Sequence, residues 1–146
     1  MNAEAEENIS GNKPWHLWPT AIIAFLWYLS GTITIVLAQL GKLGNIDQAE
    51  AAYYAAQPMW FMLLTDVSLF SALAGSIFLM LRNKMAVNLF GISLTTIIIT
   101  NLYDFAKGTS RALDNTGALV VTLIVIVIAV LLLLYTRALE KKNILQ

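Results

Sequence analysis

The chain has 146 residues and no net charge at neutral pH, with 58% hydrophobic and only 12% charged residues. Soluble domains carry about 25% charged residues, so a water-soluble globule is excluded, and the mean hydropathy of +0.70 agrees. The lack of cysteine removes disulfides, thiol catalysis, iron–sulfur clusters and Cys-type zinc sites together, and zero net charge gives no electrostatic reason to expect a nucleic acid partner.

Residues 1–14 form a polar tail with Glu4, Glu6, Glu7, Asn8, Ser10 and Asn12, predicted to be disordered. Residues 15–146 are predicted to form one all-α domain, an integral membrane bundle of four transmembrane helices. A bilayer-spanning helix needs about 20 apolar residues. The first span is predicted at 18–39, with Pro14 and Pro19 bracketing its start, where proline is tolerated. Val36-Leu37-Ala38 has the look of a signal-peptide cleavage site. The apolar run is too long for such a signal, however, and the acidic tail is the wrong flank.

In the first loop, Asp47 is placed to cap a short helix over 48–57, ended by Pro58. Ala49, Ala52, Tyr53 and Ala56 recur at helical spacing, which reads as a weakly amphipathic helix on the membrane surface or as an ordinary ordered loop. The second span is predicted at 59–81 and the third at 85–103. Their link, Arg82-Asn83-Lys84, is short enough to force an antiparallel hairpin. Contacts are expected around Phe78 and Asn88, with Gly75 and Gly91 permitting close approach. A polar loop over 104–116 precedes the fourth span at 117–135, whose polar side chains are Thr122 and the terminal Tyr135. Four buried helices of a soluble protein would need polar outer faces, which the fourth span lacks.

Orientation follows the distribution of Lys and Arg. Lys13, Arg82, Lys84, Arg137, Lys141 and Lys142 fall on one side, and Lys42, Lys107 and Arg111 on the other. Both termini are therefore expected in the cytoplasm. Trp15, Trp18 and Tyr135 make one aromatic belt; Tyr53, Tyr54, Trp60 and Tyr103 make the other. Trp27 and Tyr28 fit neither belt and are expected to pack against neighbouring helices.

Asp66 is the most informative residue, because it interrupts an apolar span. An Asp near a helix centre costs about 2.5–3.5 kcal/mol on insertion scales, so it should face protein or water. Three readings follow: a protonatable or ligand-binding group, a hydrogen-bonded link between helices, or a carboxylate reaching interfacial water. Ser93, Thr96, Thr100 and Asp104 share one face of the third span. The hairpin sets them at the depth of Thr65, Asp66 and Ser68. The set Asp66, Thr65, Ser68, Thr96, Thr100 and Asp104 is the candidate polar site, with Thr96 and Thr100 the expected partners of Asp66. It reads as a small outward-open pocket or as hydroxyls bonded to their own helices.

Ser68, Ala72 and Ser76 give small-xxx-small spacing, and Gly31 could admit a neighbour. His16, the single histidine, reads as an interfacial anchor between Trp15 and Trp18. No nucleophile–base set, nucleotide motif or metal-ligand spacing occurs. No enzymatic activity, cofactor or metal is expected.

His16-Leu17-Trp18, Trp27, Gly31 and Gln39, then Pro58 with Trp60, Gly75-Ser76, Leu81-Arg82, Ala86-Val87, Ser93 and Tyr103 resemble a family of small bacterial four-helix inner-membrane proteins. The resemblance covers the first three spans. Members are often labelled sugar transporters. The family pattern has Asn after the first-span Trp and an Asp further along; this chain has Tyr28 and Thr34 there, and Asp66 where the pattern is apolar. The resemblance implies a bacterial inner-membrane location. Two functions are expected from the sequence: a non-enzymatic interaction or accessory protein within a homo-oligomer or larger complex, or an oligomeric small-solute transporter using Asp66 as its coupling or binding residue.

Overall fold

A computed structural model describes residues 14–42, 44, 48–107 and 116–145. The predicted disordered tail, up to residue 13, the capping Asp47 and loop residues 108–115 lie outside the described residues. The described chain is all-helical: α1 (Leu17–Gln39), α2 (Gln48–Ala56), α3 (Met59–Met80), α4 (Met85–Lys107) and α5 (Thr116–Lys141). Four of these, α1, α3, α4 and α5, are long and apolar enough to cross a membrane. The helical form follows from the solvent, since lipid offers backbone groups no hydrogen bonds and a helix satisfies its own.

The helix ends are built from local chemistry. α1, α3 and α5 each end in a left-handed residue, Gly41 at φ 65°, Arg82 at φ 56° and Asn143 at φ 54°. In each case the next amide bonds five residues back: Lys42 N–H to Leu37 at 2.9 Å, Asn83 N–H to Phe78 at 2.8 Å, and Ile144 N–H to Leu139 at 3.0 Å. This paired closure is the Schellman cap, which satisfies carbonyls the helix leaves open. The four-residue link between α3 and α4, Leu81 to Lys84, thus has a definite shape. Arg82 reverses the chain, and Asn83 Oδ1 accepts the Met85 N–H at 2.9 Å to open α4.

Two boundaries differ by more than one residue from the sequence expectation. α4 continues past Tyr103 to Lys107, so Asp104 lies on the helix and not in the loop. α5 runs six residues beyond Tyr135. Its extra turn is held by Thr136 and Leu139, both buried, while Arg137, Glu140 and Lys141 are good helix formers.

α3 and α4 form the most extensive interface, as the short link requires; α1 packs on α3, and α5 on α4. The closest approach is at Gly75, where an added Cβ would lie 3.3 Å from the Phe90 ring and 3.4 Å from Leu89. Contact therefore falls in the region expected around Phe78 and Asn88, with Phe78 packed against the core that holds Leu79, Ala86 and Phe90, while Asn88 itself is exposed. Gly91 does not admit a neighbour: nothing lies within 4 Å of the position its Cβ would take.

The buried core gathers at the end of the bundle that carries the start of α1, the α3–α4 link and the end of α5. There Leu17, Ala21, Leu79, Ala86, Phe90, Leu132 and Leu139 pack together, and Leu145 folds back onto them. His16 Nδ1 and the Tyr135 hydroxyl, 2.8 Å apart, tie α1 to α5 at this end. Toward the opposite end α1 and α5 barely meet, and a cleft opens between them.

Candidate functional site

The cleft has a volume of about 450 Å³. Trp27, Tyr28, Ser30 and Thr34 of α1 form one wall, and Val121, Thr122 and Val125 of α5 the facing wall. Thr65, Ser68 and Leu69 of α3 and Ile97, Thr100 and Asn101 of α4 lie between them, and Tyr54 of α2 reaches in from the loops. Among the described residues, no carboxylate, ammonium or guanidinium lines it.

Most of the polar groups here have already spent a donor on the protein. Thr34 donates to Ser30 O at 2.9 Å, Thr65 to Phe61 O at 3.0 Å, and Thr100 to Thr96 O at 3.0 Å. Asn101 Nδ2 donates to Ile97 O at 2.8 Å. This is the bonding expected of hydroxyls in lipid-embedded helices. It leaves oxygen lone pairs, including the Asn101 carbonyl, as acceptors toward the cleft. Ser68 is the exception, crossing between helices to Ser93 O at 3.1 Å. The buried Tyr28 hydroxyl has no hydrogen-bond partner among the described residues.

The six residues of the sequence-derived polar site are therefore divided. Thr65, Ser68 and Thr100 line the cleft. Thr96 does not line it; it is buried with its hydroxyl on Ile92 O and Ser93 O. Asp66 faces α1: Gln39 Nε2 donates to its Oδ1 at 3.1 Å. The expected Thr96 and Thr100 partners bond to their own helix instead. Asp104 turns to α2, accepting the Tyr53 hydroxyl on one oxygen and Gln57 Nε2 at 3.4 Å on the other.

Several cleft residues escaped the sequence reading. Trp27 was expected to pack against neighbours, yet it is 43% exposed and lines the opening, while Tyr28 is buried as expected. Asn101 stands outside the stripe of Ser93, Thr96, Thr100 and Asp104, yet it lines the cleft. The face of α2 also differs: Tyr53 and Tyr54, with Gln57 just past its end, are half-buried, and Ala52 and Ala56 are exposed. A methyl group has little area to bury, so the tyrosines and their hydrogen bonds set the rotation of the helix.

Asp66 and Gln39 join the end of α1 to α3, and such bonds in membranes contribute about 0.6 kcal/mol on average and about 1.7 kcal/mol at most. Asp66→Asn keeps an oxygen for Gln39 and should fold normally. Asp66→Leu should lose a coupling of that size in a double-variant cycle with Gln39→Leu, measured by unfolding in mixed micelles. Additive losses would show that the pair does not interact.

Together the spans and their packing define a multi-pass α-helical membrane protein in a lipid environment. No family model, curated protein or solved structure matches the chain.

Proposed function

We propose that this is a non-enzymatic binding protein of a bacterial inner membrane that holds an uncharged, partly polar small molecule in the α1–α5 cleft, working as an oligomer or within a larger complex. The observation that supports this is the cleft itself. Small-molecule sites run from about 300 to about 1,000 Å³ and combine apolar walls with a few polar groups. Trp27 and Tyr54 offer ring surface, and Thr100 and Asn101 offer acceptors, to a molecule bearing hydroxyl donors. A charged ligand would meet no counter-charge among the described residues and would lose its hydration uncompensated. Small-solute transport is the activity such a site would serve, in keeping with the label carried by the family the sequence resembles. Its ligand contacts would be these residues and not Asp66, which is engaged with Gln39.

The test is a variant with Trp27 as the single tryptophan, in nanodiscs, titrated with an uncharged nitrophenyl glycoside. Saturable quenching is expected, weakened about fivefold in Asn101→Leu, the equivalent of one hydrogen bond of about 1 kcal/mol. A linear, unsaturable response would remove the ligand reading. A second reading, an accessory protein that packs on a partner's helix, is favoured by the α5 face of Val120, Val121, Leu123, Ile124, Val127, Leu131 and Leu134, all exposed. Copurification of a stoichiometric second chain together with the unsaturable response would select it. Substrate-driven proton movement lost in a well-folded Asp66→Asn would instead restore Asp66 as a coupling residue.

Orientation is tested separately. Arg82, Lys84, Arg137, Lys141 and Lys142 share the core end, and Lys42 and Lys107 the cleft end. A reporter fused after Gln146 should be active on the cytoplasmic side. Activity of a periplasmic reporter there would overturn the orientation and place the cleft toward the cytoplasm.

A further inference from the structure

A second concavity lies on the opposite flank of α4, away from the cleft. It has a volume of about 440 Å³ and is lined by Val87, Asn88, Gly91, Ile92, Thr95 and Thr96 of α4, with Arg137 of α5 beside them. Its chemistry changes along its length. At the core end stand a guanidinium and an amide. Neither Arg137 nor Asn88 has a side-chain hydrogen bond or ion pair among the described residues. Further along α4 the wall becomes Gly91, Ile92 and Thr95, and the Thr95 hydroxyl is turned back onto Gly91 O at 2.9 Å. From Asn88 to Thr95 the groove follows α4 for about 10 Å. Its floor is open at Gly91, where an added Cβ would meet nothing within 4 Å.

We infer that this groove is a binding site for one anionic phospholipid of the surrounding bilayer, its phosphate on Arg137 and Asn88 and an acyl chain along Gly91 and Ile92. Charge complementarity selects the occupant. Arg presents a planar fork of donors that fits phosphate oxygens in pairs. Basic pockets between transmembrane helices are suited to anionic headgroups. Among the described residues, the same end of the bundle carries Arg82, Lys84, Lys141 and Lys142 against Glu140, so an anionic headgroup is favoured there over a zwitterionic one. The apolar continuation distinguishes a lipid from a free anion, which would have no use for Gly91 and Ile92. The site is separate from the cleft: Arg137 does not line the cleft, and Thr100 and Asn101 do not line the groove.

The test is native mass spectrometry of the full chain, delipidated in mild detergent and supplied with phosphatidylglycerol or phosphatidylcholine of identical acyl chains. The wild type should retain one phosphatidylglycerol with about a tenfold preference, equivalent to about 1.4 kcal/mol. Arg137→Gln should bring the preference close to unity, and Arg137→Lys should fall between. Gly91→Leu fills open space, so it should keep the thermal midpoint of the wild type while losing the bound lipid. Lys141→Gln should leave retention unchanged. Millimolar inorganic phosphate should not displace the lipid. Equal retention of both lipids by the wild type, unchanged retention in Arg137→Gln or Gly91→Leu, equal loss in Lys141→Gln, or displacement by phosphate alone would each overturn the assignment. Because Gly91→Leu is read by lipid loss at an unchanged midpoint, a misfolded Arg137→Gln does not decide the matter.

Discussion

Phe90→Ala should lower stability by about 3 kcal/mol, the lower edge of the range of about 3–5 kcal/mol for deleting a buried phenylalanine in soluble cores. Phe90 is 1% exposed. Its ring lies against the backbone of Gly75 on α3 and 6.4 Å, centroid to centroid, from the Tyr28 ring on α1. Three helices therefore meet on one side chain. The lower edge is expected because lipid is as apolar as the core, so the transfer part of the loss largely disappears while the lost packing contacts remain. Gly75→Leu attacks the same contact from the other side and should also destabilise, by about 1–3 kcal/mol. The double variant should recover part of the sum, because the leucine can occupy space vacated by the ring. Unfolding midpoints in mixed micelles measure all three. An unchanged midpoint for Phe90→Ala would show that the three helices are not joined there.

The hairpin was legible because its constraint is local. So short a link fixes both the antiparallel direction and the depth at which α3 faces α4, which is why Ser68 meets Ser93. Glycine alone carries no such information. Gly75 is pressed by a phenyl ring and Gly91 faces open space, yet both read in the sequence as small residues in an apolar span. Helix ends were legible to within a few residues except in α5. There the apolar run gives out at Tyr135, but Thr136 and Leu139 continue to be buried.

The site was legible in composition more than in arrangement. A polar stripe on one helix is visible from spacing, and Thr65, Ser68 and Thr100 do line the cleft. Partners across long loops are not visible that way. Gln39 and Asp66 are 27 residues apart with α2 between them, and no short link fixes how α1 registers on α3. The cleft depends on a further property hidden from the sequence, the splaying of α5 from α1. The uniform Val, Ile and Leu of α5 give no preferred face, so nothing in the pattern says where it stops packing.

Asp104→Ala should release α2 while leaving the four spans intact. The α2 helix has nine residues and touches α1 at few points, so apolar packing does little to hold it. Its attachment runs through the last turns of α4, where the Asp104 carboxylate accepts the Tyr53 hydroxyl and Gln57 Nε2. Hydrogen bonds to a charged acceptor contribute about 1.5–3 kcal/mol, and half-exposed ones sit near the low end. Losing this anchor should raise amide exchange across α2 by about tenfold to a hundredfold, since each tenfold corresponds to about 1.4 kcal/mol. Amides of α3 and α4 should keep their protection. Asp104→Asn retains an acceptor for Tyr53 but turns a donor toward one partner or the other, so its exchange should lie between wild type and Asp104→Ala. Tyr53→Phe should do the same from the opposite side. Tyr54 lines the cleft from this helix, so a released α2 should also increase quenching of Trp27 by a water-soluble agent. Unchanged exchange across α2 in Asp104→Ala would mean that the clamp does not hold the helix, and the cleft would then have no latch at its mouth.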